Sequence, residues 1–246
     1  MRSVLVVLLV AAVMVVLERL RPGRAFPRVA RFYWRALALN LLQIGSVALV
    51  GKLADPWLRE HRPWSVDRLG VIGSALLGYL VITFVYYWWH RWRHEVPFLW
   101  RWFHQLHHSP QRIEILTSFY KHPLELVVNG VLSSAILYLL VGVSPDAAVL
   151  AVTITGLAEL FYHWNVATPR WLTFVIQRPE SHLVHHQAGL HTGNFSDLPL
   201  WDLLFGTFRA PESWSGACGF GETPGADEHA MKALLGGVDV TTARRA

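Results

Sequence analysis

Cysteine is almost absent from this chain of 246 residues, which holds only Cys218. One thiol excludes an internal disulfide and excludes thiolate metal clusters of the zinc-finger kind. Charge is scarce as well. Asp, Glu, Lys and Arg supply 16% of the residues, against roughly 25% in ordinary globular chains. Hydrophobic residues supply 53%, too many for a typical soluble domain of this length. No His-Glu-x-x-His and no Gly-x-Ser-x-Gly element occurs, so two common hydrolase signatures are missing. The net charge of +5 comes from arginines beside apolar runs, not from a basic stripe within a nucleic-acid motif. That distribution points to a membrane as partner and away from nucleic acid.

What is present is long apolar segments. Five can be drawn, at 3–17, 36–52, 69–89, 124–142 and 147–162, each long enough or nearly so to cross about 30 Å of hydrocarbon. The first and last are marginal, so four to five spans are expected. Segment one resembles the apolar core of a signal peptide, but Leu17-Glu18-Arg19-Leu20-Arg21 offers no small-residue cleavage site, and it reads as a retained helix. Many of the twelve tryptophans flank these runs, where amphipathic rings favour the membrane interface. The Trp and Tyr at 86–89 and 100–102 read mostly as such anchors.

The expected fold is therefore an all-α integral-membrane bundle. Residues 1–68 would form N-terminal spans and loops, 69–210 the functional domain, and 211–246 a peripheral, loosely ordered tail. The loop after segment one carries Arg19, Arg21, Arg24, Arg28, Arg31 and Arg35 against Glu18, a cytoplasmic signal. Segment three then returns to that side, and segments four and five close a hairpin at Val143-Ser144-Pro145-Asp146. All dense histidine groups consequently fall at one face, the cytoplasmic one.

Histidine is the anomaly, with thirteen in the chain. His90-Arg91-Trp92-Arg93-His94 is an H-x3-H, and His104-Gln105-Leu106-His107-His108 is an H-x2-H-H that His182-Leu183-Val184-His185-His186 repeats. On a helix, residues three and four apart share a face, so each cluster projects imidazoles toward one point. Eight such nitrogens exceed what one first-row ion takes up and suit two ions with positions left open. Imidazole accommodates iron, zinc, copper and nickel alike. His191 lies outside the cluster spacing and reads as a non-ligand. His61 and His229 read as solvated.

These residues resemble the fatty acid hydroxylase/sterol desaturase superfamily of membrane di-iron enzymes. The resemblance runs from about Trp89 to Phe208. Besides the three clusters it includes Lys121-His122-Pro123-Leu124-Glu125, Phe161-Tyr162-His163-Trp164-Asn165, Asn194-Phe195-Ser196-Asp197 and Trp201-Asp202-Leu203-Leu204-Phe205-Gly206-Thr207-Phe208. It implies that His90, His94, His104, His107, His108, His182, His185 and His186 are metal ligands and that His163 completes the set. His122 is implied as a ligand or a supporting residue, the alternative being a helix-start residue before Pro123. A second H-x3-H of some fatty acid hydroxylases is missing, because position 167 is Ala and position 159 is Glu. Glu159 is then a ligand, an orienting partner, or simply buried. Asn194 and Asp202 have acceptors suited to holding imidazole N–H donors, with turn or helix capping as the alternative.

The implied activity is hydroxylation or desaturation of a lipid (sterol, fatty acyl or related) with two iron ions and O2, zinc being a possible substitute. No Rossmann, flavin or haem element is present, so electrons would come from a separate ferredoxin or cytochrome b5-type donor. Arg91, Arg93, Arg101, Arg112 and Lys121 lie near the first two clusters and would give such a donor a positive docking face. The rival classes are a zinc-dependent membrane hydrolase and a non-enzymatic metal carrier. A carrier would be expected to place ionisable residues inside its spans, and segments one to four hold almost none.

Overall fold

The computed structural model describes residues 2–211, 214–220 and 226–241, apart from the side chains of 2–4 and 226–229. Helices carry nearly all of it, with no strand among the described residues beyond one isolated bridge, Gln187 to Cys218. The order is α1 (Arg2–Leu20), α2 (Phe32–Leu53), the short α3 (Asp55–Glu60), α4 (Gly70–Glu95), α5 (Pro97–Leu99), α6 (Gln105–His108), α7 (Pro123–Ala135), α8 (Pro145–Tyr162), α9 (Pro179–His185), α10 (Pro199–Leu204) and α11 (Ala226–Leu235).

Four of the described helical stretches are long and apolar enough to cross a membrane: Phe32–Leu53, Asp67–Glu95, Pro123–Val141 and Pro145–Tyr162. Their boundaries follow local chemistry. Proline at the first helical position starts both α7 and α8, where its missing N–H costs nothing. The Ser144 hydroxyl caps α8 by accepting from the Ala147 N–H. The π-helical continuation of α7, Ile136–Val141, stops at Gly142, whose φ of +79° suits glycine.

α4 is the central helix, packed against α8 and the end of α7. Small residues allow this approach: Ala75, Ala147 and Ala151 are fully buried, and a Cβ at Gly78 would meet Leu137 Cδ2 at 2.6 Å. Close van der Waals fit is what associates helices in lipid, where apolar burial drives little. The outward faces carry large exposed hydrophobics such as Leu41, Ile72 and Val149, as spans facing lipid require. α1 lies against α8, with Met14 beside Leu160. Its last turn is tethered by the buried Glu18 carboxylate, which accepts from the backbone N–H groups of Ile115 and Asn165.

α4 runs on past the apolar run that ends near 89 to Glu95 and carries both His90 and His94 on one helix, as the H-x3-H spacing implied. One sequence expectation changes here. The tail is not merely peripheral. Leu234 is fully buried in a cluster with Phe32, Leu106 and Tyr120, and the Gln105 side chain bonds the backbone of Val238 and Val240. Trp214 and Cys218 are buried beside Leu183 and Val184. The Gly- and Ala-rich composition concealed a few anchors that close over the second and third histidine clusters.

Candidate metal centre

Nine histidines converge where α4, α6, α8 and α9 meet at one end of the bundle. They form two groups: His90, His94, His104, His108 and His185, and His107, His163, His182 and His186. Each group's ligand-capable atoms lie within 4.8 Å of one another. The assignment crosses the clusters. His104 and His108, a helical turn apart, enter the first group while His107 between them enters the second. His182 and His186 enter the second while His185 enters the first.

In every ring it is Nε2 that turns inward. The Nε2 atoms of His90, His94 and His185 are buried without a partner, and those of His104 and His108 stand 3.1 Å apart. In the second group the Nε2 separations are 3.3 Å from His107 to His163, 3.1 Å from His163 to His182 and 3.0 Å from His182 to His186.

In five of the rings the chain holds a further bond, while Nδ1 of His107, His182 and His186 is buried without a partner. His90 Nδ1 donates to the Phe195 carbonyl at 2.7 Å, His185 Nδ1 to Gly193 at 2.7 Å and His163 Nδ1 to Glu159 at 2.9 Å. His94 bonds the His191 carbonyl, and His104 Nδ1 approaches a Glu125 carboxylate oxygen at 3.3 Å. Such bonds fix the tautomer that leaves Nε2 with a lone pair.

Burial pushes the pKa of His104, His107, His108, His182 and His186 well below the usual imidazole value, and neighbouring histidines add to the effect. His163 and His185 are pushed down to about 3, again by burial. The rings are therefore neutral at physiological pH. Neutral imidazole lone pairs converging at 3.0–3.3 Å cannot all satisfy one another. Two divalent ions of first-row type fit the donor set, since metal–imidazole bonds of about 2.0–2.1 Å place neighbouring donors at such separations.

Other expected site residues stand elsewhere. His122 is outside both groups: its Nδ1 accepts from the Leu124 N–H at the start of α7, and its Nε2 donates to the Leu235 carbonyl. With both nitrogens hydrogen-bonded, it stands at the helix start before Pro123. The Glu159 carboxylate pairs with Lys121, so this residue orients His163 through its carbonyl and not through its side chain. Among the described residues, the Asn194 and Asp202 side chains hydrogen-bond backbone and hydroxyl groups and not an imidazole. Asn194 bonds the backbone of Ser181 and Arg209. Asp202 accepts from the N–H groups of Phe195 and Ser196 and from the Thr207 hydroxyl. Both secure the loop whose carbonyls hold His90 and His185.

His191 stays out of the groups, yet its Nδ1 lies 3.0 Å from His108 Nδ1. His61 is exposed and stacked on Trp57, and the side chain of His229 lies outside the described residues. The expected basic face is depleted: Arg93 pairs with Glu125, Arg112 with Glu114 and Lys121 with Glu159, all largely buried. Arg91, paired with Glu95, and Arg101 stay at the surface.

Sequence reasoning gave no role to Glu125 or Asp197. Glu125 sits three residues after His122, and its spacing alone did not single it out. The orienting carbonyls carry no side-chain signal at all.

Residues 75–207, just over half of the chain, match the fatty acid hydroxylase family. The chain belongs to that family. Its relatives include the ornithine lipid hydroxylase OlsE of Rhizobium tropici, 31% identical over 66% of this chain and 50% of that protein. The sphingolipid C4-hydroxylase sur2 of Schizosaccharomyces pombe is 29% identical over 55% of this chain and 47% of that protein. Human alkylglycerol monooxygenase is 30% identical over 60% of this chain and 32% of that protein. The matched region thus spans half or less of each relative's length. No solved structure matches the chain.

Proposed function

We propose that this protein is a membrane-bound di-iron oxygenase that hydroxylates a lipid, consuming O2 and two electrons from a separate donor. The balance is one C–H bond, O2, two electrons and two protons giving an alcohol and water. The observation carrying this reading is the pair of convergent, buried Nε2 groups at one end of a four-span bundle.

Bound iron would supply the oxidising power that an unactivated C–H bond demands. The chain's own contribution is placement. Backbone carbonyls of Glu159, Gly193 and Phe195 aim three of the imidazoles. Burial keeps water and protons away from the nitrogens, and the spans deliver a lipid laterally to the metal end. The relatives' names support hydroxylation as the reaction. The arginine-rich loop between α1 and α2 supports a cytoplasmic position for the centre, and a ferredoxin or cytochrome b5-type protein is the proposed donor.

Iron analysis, O2 uptake, and lipid profiling of a deletion strain beside its complemented strain test the reading together. The expected result is two irons per chain and a lipid that gains one oxygen atom only in the complemented strain. Zinc-dependent release of a hydrolysed product without O2 uptake would establish the hydrolase instead, and metal binding without any turnover would establish a carrier.

A further inference from the structure

A narrow pocket, with about 50 Å³ of room for the centres of water-sized spheres, adjoins the histidine centre and enters the bundle between α4, α7 and α8. Along α4 its lining extends from His90 down to Ile82, a depth of about 12 Å at roughly 1.5 Å per residue. An acyl chain alone would call for hydrocarbon walls. Here only Ile82 and Phe195 among the lining residues are purely hydrocarbon.

Polar groups among membrane helices are costly and mark function, so their partners matter. Some of the lining is occupied by internal bonds: Tyr86 donates to the Asn129 carbonyl, and Asn129 accepts from the Trp89 indole. Two sets keep capacity for a ligand. Lys121 and Glu159 form one, an ammonium with three donors facing a carboxylate with several acceptor sites. Asp197 forms the other, with the Tyr79 and Tyr162 hydroxyls as hydrogen-bonding neighbours. Tyr162 in turn packs on the His182 ring at 4.5 Å, so this set adjoins the second histidine group.

We propose that Lys121, Glu159 and Asp197 form a polar subsite that holds the head-group end of the lipid beside the metals. The carbon oxidised then lies within a few bonds of a hydroxyl, amide or amine, and not in the middle of an acyl chain. The lipid class is one whose head offers donors and acceptors together, matching the ammonium and the two carboxylates. This inference rests on the lipid-oxygenase reading and specifies where on the lipid that activity falls.

The test uses the full-length, iron-loaded protein in lipid nanodiscs, kept anaerobic during binding. The probes are an N-octanoyl amino alcohol and its near-isosteric analogue with CH2 in place of the amide N–H and fluorine in place of the hydroxyl, which nearly keeps the shape but loses both donors. Wild-type protein is expected to bind the parent probe about 10- to 100-fold more tightly, the range for a hydrogen bond to a charged group. Lys121→Met combined with Glu159→Met removes the pair without leaving a lone buried charge, and Asp197→Asn preserves shape. Both variants should erase most of the preference with iron content unchanged. Should the double variant lose iron, Asp197→Asn alone decides between presence and absence of the subsite.

Equal binding of the two probes by wild-type protein overturns the subsite, as does undiminished preference in a folded, iron-loaded Asp197→Asn variant. Admission of O2 separates the two claims. Oxygen placed mid-chain overturns the subsite and leaves the oxygenase reading intact. An intact probe preference without O2-dependent product from any lipid overturns the oxygenase reading alone.

Discussion

Imidazole has two nitrogens, and this chain assigns them different tasks. Nδ1 meets a carbonyl in His90, His163 and His185, and Nε2 turns inward in all nine rings. Because each H-x2-H-H cluster divides between the groups, neighbouring histidines have separable effects. Replacing His107 by Ala is expected to empty the second group and His185→Ala the first, each lowering iron from two to about one per chain. Elemental analysis of both purified variants checks this, and loss of both ions in each would refute the division. His122→Ala should retain full iron and cost about 1 kcal/mol of stability, the usual value of a helix cap. Gly193→Ala is a sharper probe of the supporting shell. At φ +78°, with Thr207 O only 2.8 Å from an added Cβ, the loop must shift, moving the carbonyl that holds His185. Iron affinity should fall about 10- to 100-fold, as for other losses around metal-bound histidine; competition with a chelator measures it.

At the level of elements, the metal end is fastened by ion pairs between helices. Arg93 on α4 and Glu125 on α7 are both nearly inaccessible and pair directly, with His104 against the same carboxylate. Removing one member strands a buried charge, at a cost of about 3–5 kcal/mol. Arg93→Met should therefore unfold at a markedly lower temperature in detergent, and the Arg93→Met/Glu125→Met double variant should recover part of the loss. A single variant as stable as wild type would show that water reaches the pair. The spans themselves were legible as apolar runs, because crossing about 30 Å of hydrocarbon sets a minimum length. The helical continuation of α4 through His90 and His94 was legible too, in their H-x3-H spacing. The burial of Leu234 was not, because its partners Phe32 and Leu106 lie far away in sequence.

For the molecule as a whole, the buried histidines couple stability to pH. His163 and His185 titrate near 3 when folded and near 6.5 when unfolded. Between those values the unfolded chain binds more protons, so stability is fully present above about 6.5 and is lost as pH falls toward 3. His104, His107, His108, His182 and His186 shift in the same direction. Thermal unfolding of metal-stripped protein should show a midpoint that drops steadily below pH 6.5; a flat profile would mean that the rings are solvated. Metal release follows the same sign, because protons compete for the ligand nitrogens. For topology, a tag at the C-terminus is expected to be reached only from the cytoplasm, and labelling of intact cells from outside would reverse the proposed orientation.

The sequence by itself determined the apolar spans and the i, i+3 and i+4 histidine spacing. These are local properties: chain length against hydrocarbon thickness, and side chains repeating on one helical face. It also determined that the clusters attach to the same ends of the spans, since each crossing reverses direction. Only the tertiary structure decided which histidine joins which group. It alone showed that His122 caps a helix start, and that Arg93, Arg112 and Lys121 pair with internal carboxylates. The physical reason is common to all of these. A nitrogen or a charge has a role only relative to its nearest partners, and here those partners are backbone carbonyls and acids brought near by packing from distant parts of the chain.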